Sequence, residues 1–318
     1  MYLSFYGLRE EPFRLTPDPR FFHLAEPHRD ALNTLMRGVL LRKGFMVITG
    51  PIGTGKTTVL HALLQILTER FFTENRMLSA FLLNPTLTRD ELLEAVLEEF
   101  EIDCSSTTKP RRLQVLYQTL LDAQRRKGTA LLVIDEAHLL PVELLEEIRL
   151  LSNMETYQEK PLQIILCGQT ELLSVLTRPE TRALQQRIAS RCQLRALSLA
   201  ETRTYVAERL HAAGLRGASP FSGQTVEEIH RFTEGVPRLI NLLCDGCLML
   251  GMTTNRKQIQ LDMIEEAATT LGINGKSNSP AAQDSHVAAP RQTQAVQSAV
   301  EALIETIHQA RANSRMQP

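Results

Sequence analysis

Tryptophan is absent from this chain of 318 residues, aromatic residues make up 5% of it, and cysteine occurs five times. An odd number of cysteines without framework spacing excludes a disulfide-stapled extracellular domain and points to a reducing compartment. Cys244 and Cys247 form a lone CxxC with no second pair, which reads as core packing rather than as a zinc site. Charge of one sign is also lacking. The 35 Lys and Arg stand against 36 Asp and Glu, a formal net charge of -1. That balance excludes a wholly basic protein that coats nucleic acid, and leaves only local runs at Lys109-Pro110-Arg111-Arg112 and Arg125-Arg126-Lys127. Such runs read as solvated helix ends beside acidic neighbours. Long apolar stretches are missing too. The longest, Leu239 to Met252, is shorter than the ~20 residues that cross a bilayer and contains Asn241 and Asp245, so it reads as a buried helix. The first residues hold no basic region followed by an apolar core, which argues against a secretory signal and for a cytoplasmic location.

What the chain does have is an alternation of strand-like and helix-like segments. Apolar runs at Phe45–Ile48, Met77–Leu83, Ala130–Ile134, Leu162–Cys167 and a short Gln193–Leu197 are separated by helical periodicity, which predicts an α/β fold with a parallel sheet covered by helices. From Ala200 onward only helical periodicity remains, near Glu201–Ala213, Ser222–Thr233, Pro237–Gly251 and Asp262–Leu271. That predicts a small all-α lid domain. The organisation expected is a leader and first helix over 1–43, an α/β core over 44–199, and the lid over 200–275. A linker of disordered composition over 276–291 and an amphipathic tail helix over 292–318 complete it, the helix carrying Val296, Val300, Leu303, Ile304 and Ile307 at helical spacing.

The stretch Gly50-Pro51-Ile52-Gly53-Thr54-Gly55-Lys56-Thr57 matches GxxxxGKT, directly after an apolar strand and before an apolar helix. Glycines let successive N–H groups turn onto a phosphate, and the following helix adds its positive end to the same anion. Together with Thr58 these residues form the candidate phosphate cradle. Lys56 is expected to reach the β- and γ-phosphates, and Thr57 to offer its hydroxyl to Mg²⁺, so ATP and Mg²⁺ are the implied ligands. Leu131 to Ile134 then form an apolar strand ending in Asp135-Glu136. Asp135 is the candidate for the magnesium water shell, and Glu136 for the base that polarises the attacking water. His138 completes the letters DEAH without a second motor domain, and is read as a neighbour of the site with no role. Gln169, at the end of the next strand, is either a sensor of the γ-phosphate or a turn residue. Arg187 and Arg191 stand four apart, a spacing read as one helix face, and either can serve a neighbouring subunit or make a surface ion pair. Gly235-Val236-Pro237-Arg238 puts a proline at a helix start and aims Arg238 at the cleft.

Loop, acid pair, strand-end glutamine, Ser190-Arg191-Cys192 and Gly-Val-Pro-Arg, in that order, resemble an AAA+ ATPase. The resemblance implies Walker A on Gly50 to Thr57, Walker B on Asp135 and Glu136, sensor 1 on Gln169 and sensor 2 on Arg238. It also implies an arginine finger on Arg191, with Arg187 as the alternative, and a polar switch residue at Asn84. Tyr6-Gly7-Leu8, Pro12-Phe13, Thr16-Pro17-Asp18-Pro19-Arg20-Phe21-Phe22 and His28-Arg29 before a helix resemble, more narrowly, the ExeA or general secretion pathway protein A family. That likeness extends over residues 1 to about 275 and implies a leader that runs beside the adenine pocket. Members of that family typically continue into a membrane span and a peptidoglycan-binding region, neither of which is found in this sequence.

The function expected is an AAA+ ATP hydrolase, assembled as a homo-oligomeric ring or arc, that drives assembly or remodelling of a secretion or cell-surface export system. Its partner is expected in a membrane-associated assembly, so the protein would be cytoplasmic or held peripherally at the inner membrane. Two alternatives stay open. One is an ATP-dependent, DNA-binding regulator of transposition resembling TnsC or TniB, for which DNA is the less favoured partner. The other is a nucleotide-switched scaffold that docks through its tail helix.

Overall fold

The structure, a computed structural model, describes residues 2–15, 25–71, 77–83, 87–104, 108–153 and 160–273. The chain opens with a single helical turn, α1 (Leu3–Tyr6), then α2 (Glu26–Leu40), β1 (Phe45–Thr49) and α3 (Lys56–Ile66). Next come β2 (Met77–Leu82), α4 (Arg89–Glu99), α5 (Lys109–Arg125), β3 (Thr129–Ile134), α6 (Val142–Leu151) and β4 (Leu162–Gly168). The short α7 (Glu171–Leu176) and α8 (Arg182–Gln185) precede β5 (Ile188–Gln193), and four helices end the described chain: α9 (Leu199–Ala212), α10 (Gly223–Thr233), α11 (Pro237–Thr253) and α12 (Leu261–Thr270).

The five strands form one parallel sheet in the order β2-β3-β4-β1-β5. Strands β1, β3 and β4 are buried along their whole length, which is why they read as unbroken apolar runs. In the register of the central pairs, Thr49 lies beside Gly168 and Ile134 beside Leu166. The carboxyl ends of β1 and β4 therefore finish level, and β3 ends two residues short of them. The residues that follow them, Asp135, Gln169 and Gly50, are brought to one crevice, where ligands of open α/β sheets bind.

The last strand differs from the sequence expectation. It occupies Ile188–Gln193, with Ala189, Arg191 and Gln193 exposed, and the buried Leu194 and Leu197 lie in the extended connection to α9. An edge strand paired on one side only needs no continuous apolar run, so its polar sequence looks helical. Arg187 and Arg191 consequently share no helix face: Arg187 precedes β5 and Arg191 lies within it. His28, expected to stand before a helix, is inside the first turn of α2, where Pro27 occupies a position that needs no N–H partner.

Two apolar clusters hold these elements. One joins the sheet to its flanking helices through Val47, Leu132, Ile164, Leu116 and Leu145. The other is centred on α9 to α12 and takes in Tyr2, Leu8, Phe13 and Ala25 from the start of the chain. The leader is thus part of the core built by α9 to α12. Tyr2 hydrogen-bonds Asp245, Arg9 N–H donates to Ala213 O at 2.8 Å, and Arg209 donates to Arg14 O at 2.8 Å. Cys244 and Cys247 are fully buried in this cluster, and burial pushes the Cys247 thiol up to about 12. At the junction, Arg195 makes paired hydrogen bonds of 2.7 and 3.0 Å to Glu201, whose carboxyl they hold down at about 2. The Asn84 switch residue, the leader segment Thr16 to Phe22, the linker and the tail helix lie outside the described residues.

Candidate nucleotide site

The loop Gly50 to Gly55 connects the buried β1 to α3 and is shaped by close contacts on both sides. Gly53 has a φ of 78°, and a Cβ there would meet Arg238 Cβ at 2.8 Å and Val236 Cγ1 at 3.1 Å. Only glycine combines that conformation with so near an approach of the start of α11. The approach is itself a bond, since Arg238 N–H donates to Gly53 O at 3.2 Å. Leu197 N–H donates to Gly235 O at 2.9 Å and ties the lid helix start to the chain leaving the sheet. Pro237, in the first turn of α11, removes a donor that would have had no partner.

Lys56 and Thr57 open α3. Lys56 is 8% exposed, and its Nζ donates to Gly50 O at 2.9 Å and Pro51 O at 3.0 Å. Thr57 Oγ1 donates to Asp135 Oδ2 at 2.8 Å, and Glu136 N–H donates to Asp135 Oδ1 at 2.8 Å, so both oxygens of this buried carboxylate are engaged. Thr58, next on α3, is half-buried, and Ile52 at the loop's apex is 61% exposed. Glu136 takes a left-handed conformation, φ 50°, with one carboxylate oxygen buried although the side chain as a whole is 44% exposed. Gln169 follows β4 directly, and its backbone N–H points to His138 Nδ1 at 3.4 Å.

Among the described residues no group of three or more His, Cys, Asp or Glu is placed to hold a metal by itself. Thr57 and Asp135 instead offer a hydroxyl and a carboxylate side by side. That donor set suits a cation that completes its shell with water and phosphate, as magnesium does.

The structure brings together Gly50, Pro51, Ile52, Gly53, Thr54, Gly55, Lys56, Thr57, Asp135, Glu136 and Arg238, and gives Arg187 and Arg191 different surroundings. Arg187 is half-buried and donates to Ser152 Oγ at 2.7 Å, whereas Arg191 is exposed on the edge strand. One residue that sequence reasoning left without a role is His28. It is 3% exposed, and its Nε2 lies 2.8 Å from Thr54 O. A carbonyl can only accept, so Nε2 carries the proton and braces the loop from α2. Its traces in the sequence are a histidine on the apolar face of that helix and its place in the His28-Arg29 pair.

Burial lowers the His28 pKa below its ordinary 6.5. The neutral ring is the form the fold stabilises, so this contribution is fully present above 6.5 and is lost as pH falls through the lower folded value. Melting temperature is expected to drop as pH falls below 6.5, and to drop less in His28→Gln, which keeps a donor without the titration. Parallel curves for the two proteins would count against the brace.

The AAA domain family matches residues 40–176. General secretion pathway protein A of Aeromonas hydrophila is 40% identical over 262 residues, 81% of this chain and 46% of that protein. Residues 40–176 of the chain are an AAA domain. The chain spans somewhat less than half the length of that relative. Its fold is similar to that of the Aeropyrum pernix ORC2 protein solved in ADPNP and ADP complexes, with a TM-score of 0.62 and 16% identity, covering 82% of this chain and 71% of that one. Drosophila ORC bound to DNA gives a TM-score of 0.65 and 17% identity, covering 85% of this chain and 66% of that one. At such identities the two solved structures speak for the fold of this chain alone. No helix among its described residues is long and apolar enough to cross a membrane.

Proposed function

We propose that this protein binds ATP with Mg²⁺ and hydrolyses it as a homo-oligomer, to drive assembly or remodelling of a secretion or cell-surface export system. The observation that carries the chemistry is the 2.8 Å bond between Thr57 at the helix start and Asp135 at the end of β3, beside a glycine-built loop that the lid touches. Thr57 and Asp135 would hold the magnesium, which when bound neutralises charge on the β- and γ-phosphates. Lys56 exchanges its two loop carbonyls for phosphate oxygens, and the loop N–H groups and Thr58 line the same anion. Glu136 polarises water, and Gln169 contacts the γ-phosphate or that water. Arg238, on the helix bonded to Gly53, reports the nucleotide to the lid, and closure of the lid moves a partner.

Arg191 supports the oligomeric part. An exposed guanidinium on an edge strand is available to a neighbour, while Arg187 is already engaged with Ser152. Arg191→Ala is expected to keep ATP binding and lose turnover by about 10³-fold. Mixing it with Glu136→Gln subunits should restore turnover, because each supplies what the other lacks. Mixtures as inactive as their components would exclude an arginine acting in trans.

The pathway rests on the similarity to general secretion pathway protein A. The basic runs that favoured a DNA partner are partly engaged within the chain. Lys109 pairs with Glu147 at 2.8 Å, Arg112 with Glu94 at 3.3 Å and Arg125 with Asp122 at 3.0 Å. The deciding experiment is steady-state ATP hydrolysis at low salt, with and without duplex DNA, while light scattering follows particle size. ATP-driven growth that ignores DNA is the expected result. Salt-sensitive stimulation by DNA would replace the export reading with the transposition-type one.

A further inference from the structure

Two groups meet at one ring nitrogen behind Glu136. The backbone N–H of Gln169 lies 3.4 Å from His138 Nδ1, and Glu136 Oε2 lies 3.4 Å from the same atom. The His138 side chain is 10% exposed, and Glu136 Oε2 is buried with no hydrogen-bond partner among the described residues. The strand ends carrying these groups touch directly. A Cβ on Gly168 would come within 3.1 Å of His138 N, so a side chain there would push the turn after β3 away from β4.

A ring nitrogen of neutral imidazole bears a lone pair or a proton, never both. With a lone pair on Nδ1, the ring accepts from Gln169 N–H and presents electron density to the Glu136 carboxylate. With a proton there, it donates to Glu136 Oε2 and must give up the Gln169 amide. The two contacts exclude each other, and interchange moves one proton from Nε2 to Nδ1 through solvent with no net uptake.

We propose that His138 is a positioning residue whose Nδ1 is shared by Gln169 and Glu136 in turn, so that movement at the end of β4 sets whether the Glu136 carboxylate is held. The inference rests on the reading of Glu136 as the group that polarises water. When the Gln169 amide withdraws, Nδ1–H fixes Oε2 and leaves the exposed part of the carboxylate to orient water. When the amide returns, the carboxylate loses its anchor. A strand end that follows the γ-phosphate would thereby release the base once the phosphate has gone.

The test compares His138→Leu, His138→Asn and Glu136→Gln, measuring kcat, the Kd for a non-hydrolysable ATP analogue, and melting temperature. His138→Leu is expected to lower kcat by about 100-fold with Kd and melting temperature unchanged, the effect of a misplaced catalytic group. His138→Asn, which presents an amide near the position of Nδ1, is expected to recover most of that loss. Wild-type turnover in His138→Leu, or an equal loss in both variants, overturns the inference. Wild-type turnover in Glu136→Gln overturns the role of Glu136 instead. Nitrogen-15 shifts of His138 in the wild-type protein give an independent readout: Nδ1 is expected unprotonated with ADP and protonated with the ATP analogue. One tautomer in both states also overturns the inference, even where the leucine variant fails to fold.

Discussion

Glu136→Gln is expected to lower steady-state phosphate release by about 10²–10⁴-fold while ATP binding is retained. The substitution keeps the shape of the side chain and its left-handed backbone, φ 50°, and removes only the basic oxygen. The phosphate cradle is untouched, because Lys56, Thr57 and Asp135 reach it through α3 and β3 without passing through the Glu136 side chain. ATP should therefore remain bound and uncleaved, and oligomers that form with ATP should persist. The check is a phosphate-release assay beside equilibrium binding of labelled ATP. A rate within about threefold of wild type would mean that another group handles the water.

Phe13→Ala is expected to destabilise the protein by about 3–5 kcal/mol, although Phe13 lies far from the site in sequence and in role. Its ring is 2% exposed and meets Phe221 edge-to-face at 6.1 Å inside the lid's apolar cluster. Removing it opens a cavity between the leader and the helices it packs on, and forfeits the aromatic pair as well. Since the lid meets the phosphate loop through Arg238 and Gly53, loosening the lid should also weaken ATP binding. Urea denaturation reads the first effect and hydrogen exchange in α9 to α12 locates it. A stability loss under about 1 kcal/mol would mean that the leader only rests on the lid.

The central strands were legible because burial on both faces demands continuous apolar sequence. Phe45–Ile48, Ala130–Ile134 and Leu162–Cys167 each fall within one residue of an observed strand. The edge strand was misplaced for the converse reason. Its alternation of half-buried and exposed residues, with Arg191 outward, looks like a polar helix until its pairing with β1 is known. His28 escaped because one buried histidine in an amphipathic helix is indistinguishable from a packed one without its partner. His138 was visible as a letter of DEAH, but its two neighbours come from the strand end before it and the strand beside it.

Short-range pattern sufficed to place a glycine loop between a strand and a helix, an acid pair at a strand end, and the helices that close the described chain. Those properties depend on residue types at short spacing, where glycine turns, helix starts and strand ends are local. Tertiary structure alone decided that Tyr2, Leu8 and Phe13 join the core of α9 to α12, that His28 braces Thr54, that Arg191 rather than Arg187 is exposed, and that Glu136 and Gln169 converge on His138. Each of these pairs groups separated along the chain or turned by strand pairing. Their contacts follow from the parallel register and the folding of the leader onto the lid, which no local pattern of residues encodes.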